Sequence, residues 1–435
     1  MTGKEQGKAW NNNTLDLPEG YRMTELGPLP EEWRVVRLGE VVSLTKGRKP
    51  PKLLNAYVAG ALPYLTADYF RTGAASGWVP VECLSRMPLC SREDVVLIWD
   101  GSKAGQVFTG LDGVLASTMV RVTPTEDLRQ DYLFFLLSIQ FELLNTQTTG
   151  STIPHVNKEL FHNLFIPLPP LPEQRAIAHV LHAVQEAKET TERVIAAARE
   201  LKRSLMRHLF TYGPVPVDQA DQVPLQETEI GPIPAHWRVV RLGEVVSLTK
   251  GRKPPKLLNA YVAGALPYLT ADYFRTGAAS GWVPVECLSR MPLCSREDVV
   301  LIWDGSKAGQ VFTGLDGVLA STMVRVTPTE DLRQDYLFFL LSIQFELLNT
   351  QTTGSTIPHV NKELFHNLFI PLPPLPEQQE IARILRAVDE KIQAEERRKE
   401  ALEGLFKALL HHLMTARVRL PKEFIARFEE VTNHE

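Results

Sequence analysis

At 435 residues, 44% apolar and 23% charged, the chain has the composition of a folded globular protein with room for two to four domains, not of a disordered one. Its net charge of −4 excludes a uniformly basic nucleic-acid binder, so any such role has to come from a local cluster. The leading MTGKEQGKAWNNNT has no apolar signal region, and the longest apolar run, YLFFLL from Tyr132, is far short of a membrane span; a cytoplasmic protein with no membrane partner is expected.

In chain order, residues 1–23 read as a flexible N-terminus. WRVVRLGEVVSL, from Trp33, alternates like a strand. Across it and the stiff TKGRKPPK loop, six basic residues (Arg34, Arg37, Lys46, Arg48, Lys49 and Lys52) face a single acid, Glu40. Exposed charges more than a Debye length away, about 8 Å at physiological salt, are screened, so this patch can bind phosphates despite the acidic total; a solvated loop is the plain alternative. Cys83 and Cys90 have six residues between them and no second ligand pair nearby, which reads as reduced thiols. EDVVLIWDG is a buried strand ending in a turn, and FTGLDGVLASTMVRVTP a hairpin turning at Asp112-Gly113. EDLRQDYLFFLLSIQFELLNTQ has helical spacing and reads as one amphipathic helix. FIPLPPLPEQ, with four prolines in ten residues, reads as an extended connector that is neither helix nor central strand. A long heptad follows, with Ile177, Leu181 and Val184 at one end, Leu205 and Leu209 at the other, and polar residues between. A Pro-rich linker spans Thr211–Glu227.

The chain then repeats itself. Trp33–Gln174 and Trp237–Gln378 are identical over 142 residues. Upstream the match weakens, TELGPLPEE against TEIGPIPAH; downstream it weakens more, RAIAHVLHAVQEA from Arg175 against QEIARILRAVDEK. The second heptad carries Ile381, Leu385 and Val388 at its start and Leu409 and Leu413 at its end. Helices this long need a partner, and the nearest is each other. The boundaries expected are 24–174 and 228–378 for two globular blocks, 175–210 and 379–414 for two helices, 211–227 for the linker and 415–435 for a tail of no readable role.

No phosphate loop, H-E-x-x-H, G-x-S-x-G or G-x-G-x-x-G pattern is present, nor an Asn-Pro-Pro-aromatic motif, and His411-His412 fits a helix C-terminus better than a metal. The expectation is binding without chemistry. The polar residues suited to base edges and phosphates lie in four loop-like stretches. They are Lys46, Arg48, Lys49 and Lys52; Thr66, Asp68 and Tyr69; Ser102 and Lys103; and Ser151, Thr152, His155, Asn157 and Lys158. Their copies are Lys250, Arg252, Lys253 and Lys256; Thr270, Asp272 and Tyr273; Ser306 and Lys307; and Ser355, Thr356, His359, Asn361 and Lys362. Each also has a structural explanation: Asp100-Gly101 as a turn, Ser151 and Thr152 as a cap for NKELFHNL, Asp68 as a local hydrogen-bond partner.

The GPLPEEWRVVRLGEV opening, the GSTIPHVNKELFHNLFIPLPPLPEQ close and a long helix starting EQRAIAHVL or EQQEIARIL, all occurring twice, make the chain resemble the specificity subunit of a type I restriction-modification system. The resemblance implies an α+β fold: two mixed α/β target-recognition domains alternating with two long helices that pair as an antiparallel coiled coil. It further implies two methyltransferase subunits docked on the helices, motor-nuclease subunits joining for cleavage, and double-stranded DNA read as a split site. S-adenosylmethionine, ATP and magnesium would then belong to partner subunits, with no cofactor or metal in this chain. The family's two recognition domains normally differ; here they are the same. Two other classes stay open at this point: a stand-alone two-fold DNA-binding regulator, and a nuclease-like enzyme using Asp68, Asp100 and Glu93 as metal ligands.

Overall fold

The computed structural model describes residues 17–150, 152–354 and 356–429. The chain divides into two compact units, one of Met1–Thr191 with Arg398–Glu435, the other of Glu192–Arg397. Each unit therefore contains one of the identical blocks together with portions of both long helices.

In the first unit the strands and short helices run β1 (Tyr21–Thr24), β2 (Gly27–Pro30), β3 (Arg34–Arg37), α1 (Leu38–Val41), β4 (Val42–Lys46), β5 (Leu62–Leu65), α2 (Ala67–Thr72), β6 (Trp78–Val79), α3 (Val81–Leu84), β7 (Leu89–Cys90), β8 (Val95–Ile98), β9 (Val107–Thr109), β10 (Gly113–Leu115), β11 (Met119–Pro124), α4 (Gln130–Ile139), α5 (Phe141–Thr146), α6 (Lys158–Asn163) and β12 (Phe165–Leu168). Two four-stranded sheets, ordered β4-β11-β8-β9 and β6-β5-β10-β7, carry the block, with two-stranded β1-β2 and β3-β12 beside them. β8 shows why its sequence is apolar throughout. Side chains alternate across a strand, and here both faces are covered. Val95 and Leu97 enter the main core with α4 and α6, while Val96 and Ile98 enter a smaller one with Leu65, Leu115 and Met119.

Several expectations need correction. The stretch read as a hairpin at Asp112-Gly113 is not one: β9 pairs with β8, and β10 pairs with β5 and β7. The single amphipathic helix is two, α4 and α5, broken at Gln140. The proline-rich connector is mostly ordered structure. Pro167 lies in β12, opposite Val35 in a two-stranded sheet, where a missing N–H is tolerated. Pro172 falls in the first turn of the long helix Leu171–Tyr212, where the N–H has no intrahelical acceptor. The linker contains a 3₁₀ turn at Val217–Gln222 and a strand from Leu225. Of the supposedly flexible N-terminus, residues 21–23 belong to the strand Tyr21–Thr24, and residues 1–16 lie outside the described residues.

The second long helix spans Leu375–Met414. In the first unit its end meets the start of the other helix: Ile177, Leu181 and Leu413 are buried in one core with Leu409 against it. In the second unit Leu209, Ile381 and Leu385 share a core, with Leu205 against it. Ion pairs there run in opposite senses along the helices, Arg199–Glu396 at 2.6 Å and Lys202–Asp389 at 2.6 Å. Within each unit the pairing is antiparallel. Val184 and Val388 are half-buried. No helix among the described residues is long and apolar enough to cross a membrane.

Candidate nucleic-acid interface

Asp100 is the point on which the polar loops converge. It lies two residues beyond the end of β8, and its backbone N–H donates to the Thr118 carbonyl at 3.2 Å, which pins it beside the start of β11. Its side chain, 14% exposed, accepts from Lys46 Nζ at 3.0 Å on one oxygen and faces His155 Nδ1 at 2.7 Å on the other. Lys46 is the last residue of β4, and His155 bridges both Asp100 and Thr149 through the backbone. Gly47, next along, has no room for a side chain: a Cβ there would collide with the Leu115 and Ala116 carbonyls. The Gly101 N–H donates to the Pro154 carbonyl at 2.8 Å. Three of the four stretches, TKGRKPPK, WDGSKAG and GSTIPHVNK, are thus stitched together.

The fourth is attached by Arg71, in the last turn of α2, whose guanidinium donates to Gln106 Oε1 at 3.0 Å. In α2, Thr66 is the N-cap, accepting from the Tyr69 N–H at 3.2 Å. Tyr69 packs against the smaller core, and Asp68 pairs with Arg71 at 3.3 Å. Asn157 caps α6, its Oδ1 accepting from the Leu160 N–H at 3.1 Å. Sequence pattern points to Ser151 and Thr152 for that cap; Thr152 is exposed, while Ser151 and its copy Ser355 lie outside the described residues. Lys52 pairs with Glu82 at 3.2 Å.

What remains uncommitted is cationic. Arg48, Lys49, Lys103 and Lys158 are exposed and make no ion pair among the described residues, and Ser102 is exposed beside them. The second block reproduces the arrangement. Lys250 and His359 hold Asp304 at 3.0 and 2.7 Å. Thr270 and Asn361 cap, Asp272 pairs with Arg275, Lys256 pairs with Glu286, and Tyr273 packs on its core. Arg252, Lys253, Ser306, Lys307, Thr356 and Lys362 are exposed.

Of the three carboxylates considered as metal ligands, Asp100 is engaged by Lys46 and His155 and Asp68 by Arg71, while Glu93 is exposed. Among the described residues no cluster of three or more His, Cys, Asp or Glu is arranged to hold a metal. Burial pushes the Cys90 thiol up to about 11, as it does Cys294, which keeps both protonated at neutral pH.

Sequence reasoning missed Asp100 as a hub and missed a clamp at the junction of block and helix. Trp33, 1% exposed, donates its Nε1–H to Glu173 at 2.8 Å. Gln174 accepts from the Arg129 N–H at 2.8 Å and donates to the Asp127 and Pro169 carbonyls at 2.9 and 2.8 Å. Trp237, Glu377 and Gln378 do the same in the second block. The signal was present in the repeat, whose identity starts at Trp33 and stops at Gln174.

The family described as "Type I restriction modification DNA specificity domain" matches residues 30–199 and 234–404. The type I restriction enzyme MjaVIII specificity subunit of Methanocaldococcus jannaschii is 31% identical over 409 residues, covering 90% of this chain and 94% of that protein. The EcoDI specificity subunit of Escherichia coli is 21% identical over 395 residues, covering 82% and 81%. Among solved structures, the S subunit of a type I restriction-modification system from M. genitalium superposes with a TM-score of 0.62 at 17% identity, covering 88% of this chain and 96% of that one. A chain from a structure of type I system assembly and conformational transition gives 0.51 at 24% identity, covering 89% and 98%.

Proposed function

The chain belongs to the family of type I restriction-modification DNA specificity subunits, and from that premise we propose that it is the non-catalytic, DNA-reading member of its complex and that it reads an interrupted palindrome. The observation that carries this is the converged loop cluster with its free cations, present twice in identical sequence. The phosphate backbone attracts such a cluster, and the loop side chains address base edges. Identical blocks read identical half-sites. Antiparallel helices exchange ends under a two-fold axis, as the strands of DNA do, so the second half-site is the inverted complement of the first. Methyltransferase partners fit the family; two of them docked on the helices, with motor-nuclease subunits added for cleavage, complete the proposed assembly. S-adenosylmethionine, ATP and magnesium act in those partners, and the modified base is an adenine in each half-site.

Sequencing the methylated positions in DNA from cells carrying this chain and its methyltransferase tests the proposal. Two identical, inverted half-sites are expected; a direct repeat or unlike half-sites would overturn it. Changing Arg48, Lys49, Arg252 and Lys253 to Ala should weaken binding to every sequence and flatten its dependence on salt, by about 0.9 in log–log slope for each phosphate that is no longer neutralised. An unchanged slope removes the loops from the phosphate interface.

A further inference from the structure

The loop cluster contains one acceptor whose direction is fixed and whose lone pair is unused. We propose that His155, and its copy His359, read a base by accepting a hydrogen bond at Nε2 from the exocyclic amino group of an adenine or a cytosine. Asp100 and Asp304 are the positioning residues that set the ring for this task. The inference rests on the reading that these loops face DNA.

A carboxylate only accepts, so the Asp100 oxygen 2.7 Å from His155 Nδ1 places the ring proton on Nδ1. In the neutral imidazole that leaves a lone pair on Nε2, because the hydrogen bond at one nitrogen decides the state of the other. Nε2 has no hydrogen-bond partner among the described residues, and the side chain is 44% exposed. Gly150 keeps this edge of the ring open: it sits at φ +96°, and a Cβ on it would lie 2.8 Å from His155 Cδ2 and 3.4 Å from Nε2. Among the described residues the exposed hydroxyls of Ser102 and Thr152 rotate and fix no direction, and the acceptors held in place nearby are spent. Thr66 and Asn157 oxygens cap helices, Asp68 and Gln106 are held by Arg71, and the second Asp100 oxygen is held by Lys46. The free charged groups of the cluster, Arg48, Lys49, Lys103 and Lys158, can only donate. In the major groove adenine and cytosine each present an amino donor, whereas guanine and thymine present acceptors at the corresponding positions. A fixed acceptor therefore selects adenine or cytosine at one position of each half-site. The second block has the same distance, 2.7 Å, and the same open edge at Gly354.

Asp100→Asn with Asp304→Asn gives a readout that a merely structural role would not produce. Lys46 requires an acceptor and retains the amide oxygen, which turns the amide NH₂ toward His155 Nδ1. Nδ1 then accepts, the proton moves to Nε2, and the ring becomes a donor. Binding of the full-length chain with its methyltransferase to a pool of randomised duplexes, followed by sequencing, should show one position per half-site switching from adenine or cytosine to guanine or thymine. His155→Ala with His359→Ala should abolish discrimination at that position alone. As an independent arm using the unaltered protein, replacing the selected adenine by purine, or the selected cytosine by 2-pyrimidinone, removes the amino group; it should cost on the order of tenfold in affinity, and nothing in the His155→Ala, His359→Ala protein. An unswitched preference in the Asn variants, or an amino-group loss as large in the Ala variants as in the unaltered protein, overturns the inference. An equal loss on every duplex would make His155 a phosphate ligand, which also overturns it while leaving the loops on DNA. No effect of the histidine changes on any duplex, together with an unchanged salt slope in the Arg48 and Lys49 variants, takes the broader reading down with it.

Discussion

Glu173 and Glu377 occupy the same position in two identical blocks and hold equivalent tryptophans, yet their remaining partners come from different parts of the chain. Glu173, with its side chain 3% exposed, is bound at 2.9 Å by Arg419 from the C-terminal tail, which also reaches Glu32 at 2.9 Å. Glu377, 27% exposed, is bound at 2.7 Å by His236, the residue standing where the first block has Glu32. The helix surfaces follow the same rule. Phe135 faces Phe406, with ring centroids 6.2 Å apart, whereas its copy Phe339 lies under Lys202 at 5.5 Å, and Lys202 is in turn paired with Asp389. Identical block surfaces have been completed by unlike flanks: an arginine against a histidine at the glutamate, and an aromatic ring against an ion-paired lysine at the phenylalanine.

The widest gap between the units should open at these closures. Arg419→Ala leaves Glu173 buried with only the Trp33 N–H, and breaking a buried pair from one side should cost the first unit about 3 kcal/mol. His236→Ala removes a partner that is 55% exposed and should cost the second unit about 1 kcal/mol or less. Hydrogen exchange resolved by unit measures both; equal losses would erase the distinction. A smaller effect tests the helix surfaces. Phe406→Lys should cost about 2 kcal/mol, since it withdraws a half-buried ring and supplies a cation where Gln185 stands in place of Asp389. Adding Gln185→Asp should restore about 1 kcal/mol; strict additivity of the two changes would show that the ionic pair is not transferable.

What could be read in advance divides along the same line. The repeat, the buried β8 and the heptad seams at Ile177, Leu181, Ile381 and Leu385 were legible because local period and identity specify them. The hairpin failed because β9 and β10 take partners from other strands, a long-range choice that the local Asp-Gly signal does not encode. The linker failed because proline content does not distinguish an unstructured spacer from a short edge pairing, and its last residues, Leu225, Gln226 and Glu227, pair with Pro234, Ile233 and Pro232 in a two-stranded sheet. The site was half legible. Residue type picks out its four stretches, but Thr66 and Asn157 cap helices, and the Asp100 hub joins residues 54 and 55 positions apart, which no local pattern reports. The tail beyond Thr415 was unreadable for the same reason, since Arg419 acts 246 and 387 residues away.

The smallest expected effect separates the two units by pH. Glu32 has a carboxyl held below its ordinary value of 4.5, first by a hydrogen bond from its own backbone N–H and then by Arg419 and Lys422, with partial burial working the other way. Its counterpart in the second unit is His236, so this contribution belongs to the first unit alone. A carboxyl depressed in the folded state stabilises fully above its unfolded value and loses that contribution as pH falls through the folded one. With its side chain 47% exposed, Glu32 is screened by solvent, and the gain should be a few tenths of a kcal/mol. Glu32→Gln should accordingly weaken the first unit slightly at neutral pH, with the difference closing as pH drops below 4.5. Unit-resolved exchange across an acid titration gives the answer. A difference that stays constant through that range would show that Glu32 acts by packing and not by charge, and a matching loss in the second unit would show that the two closures are not independent.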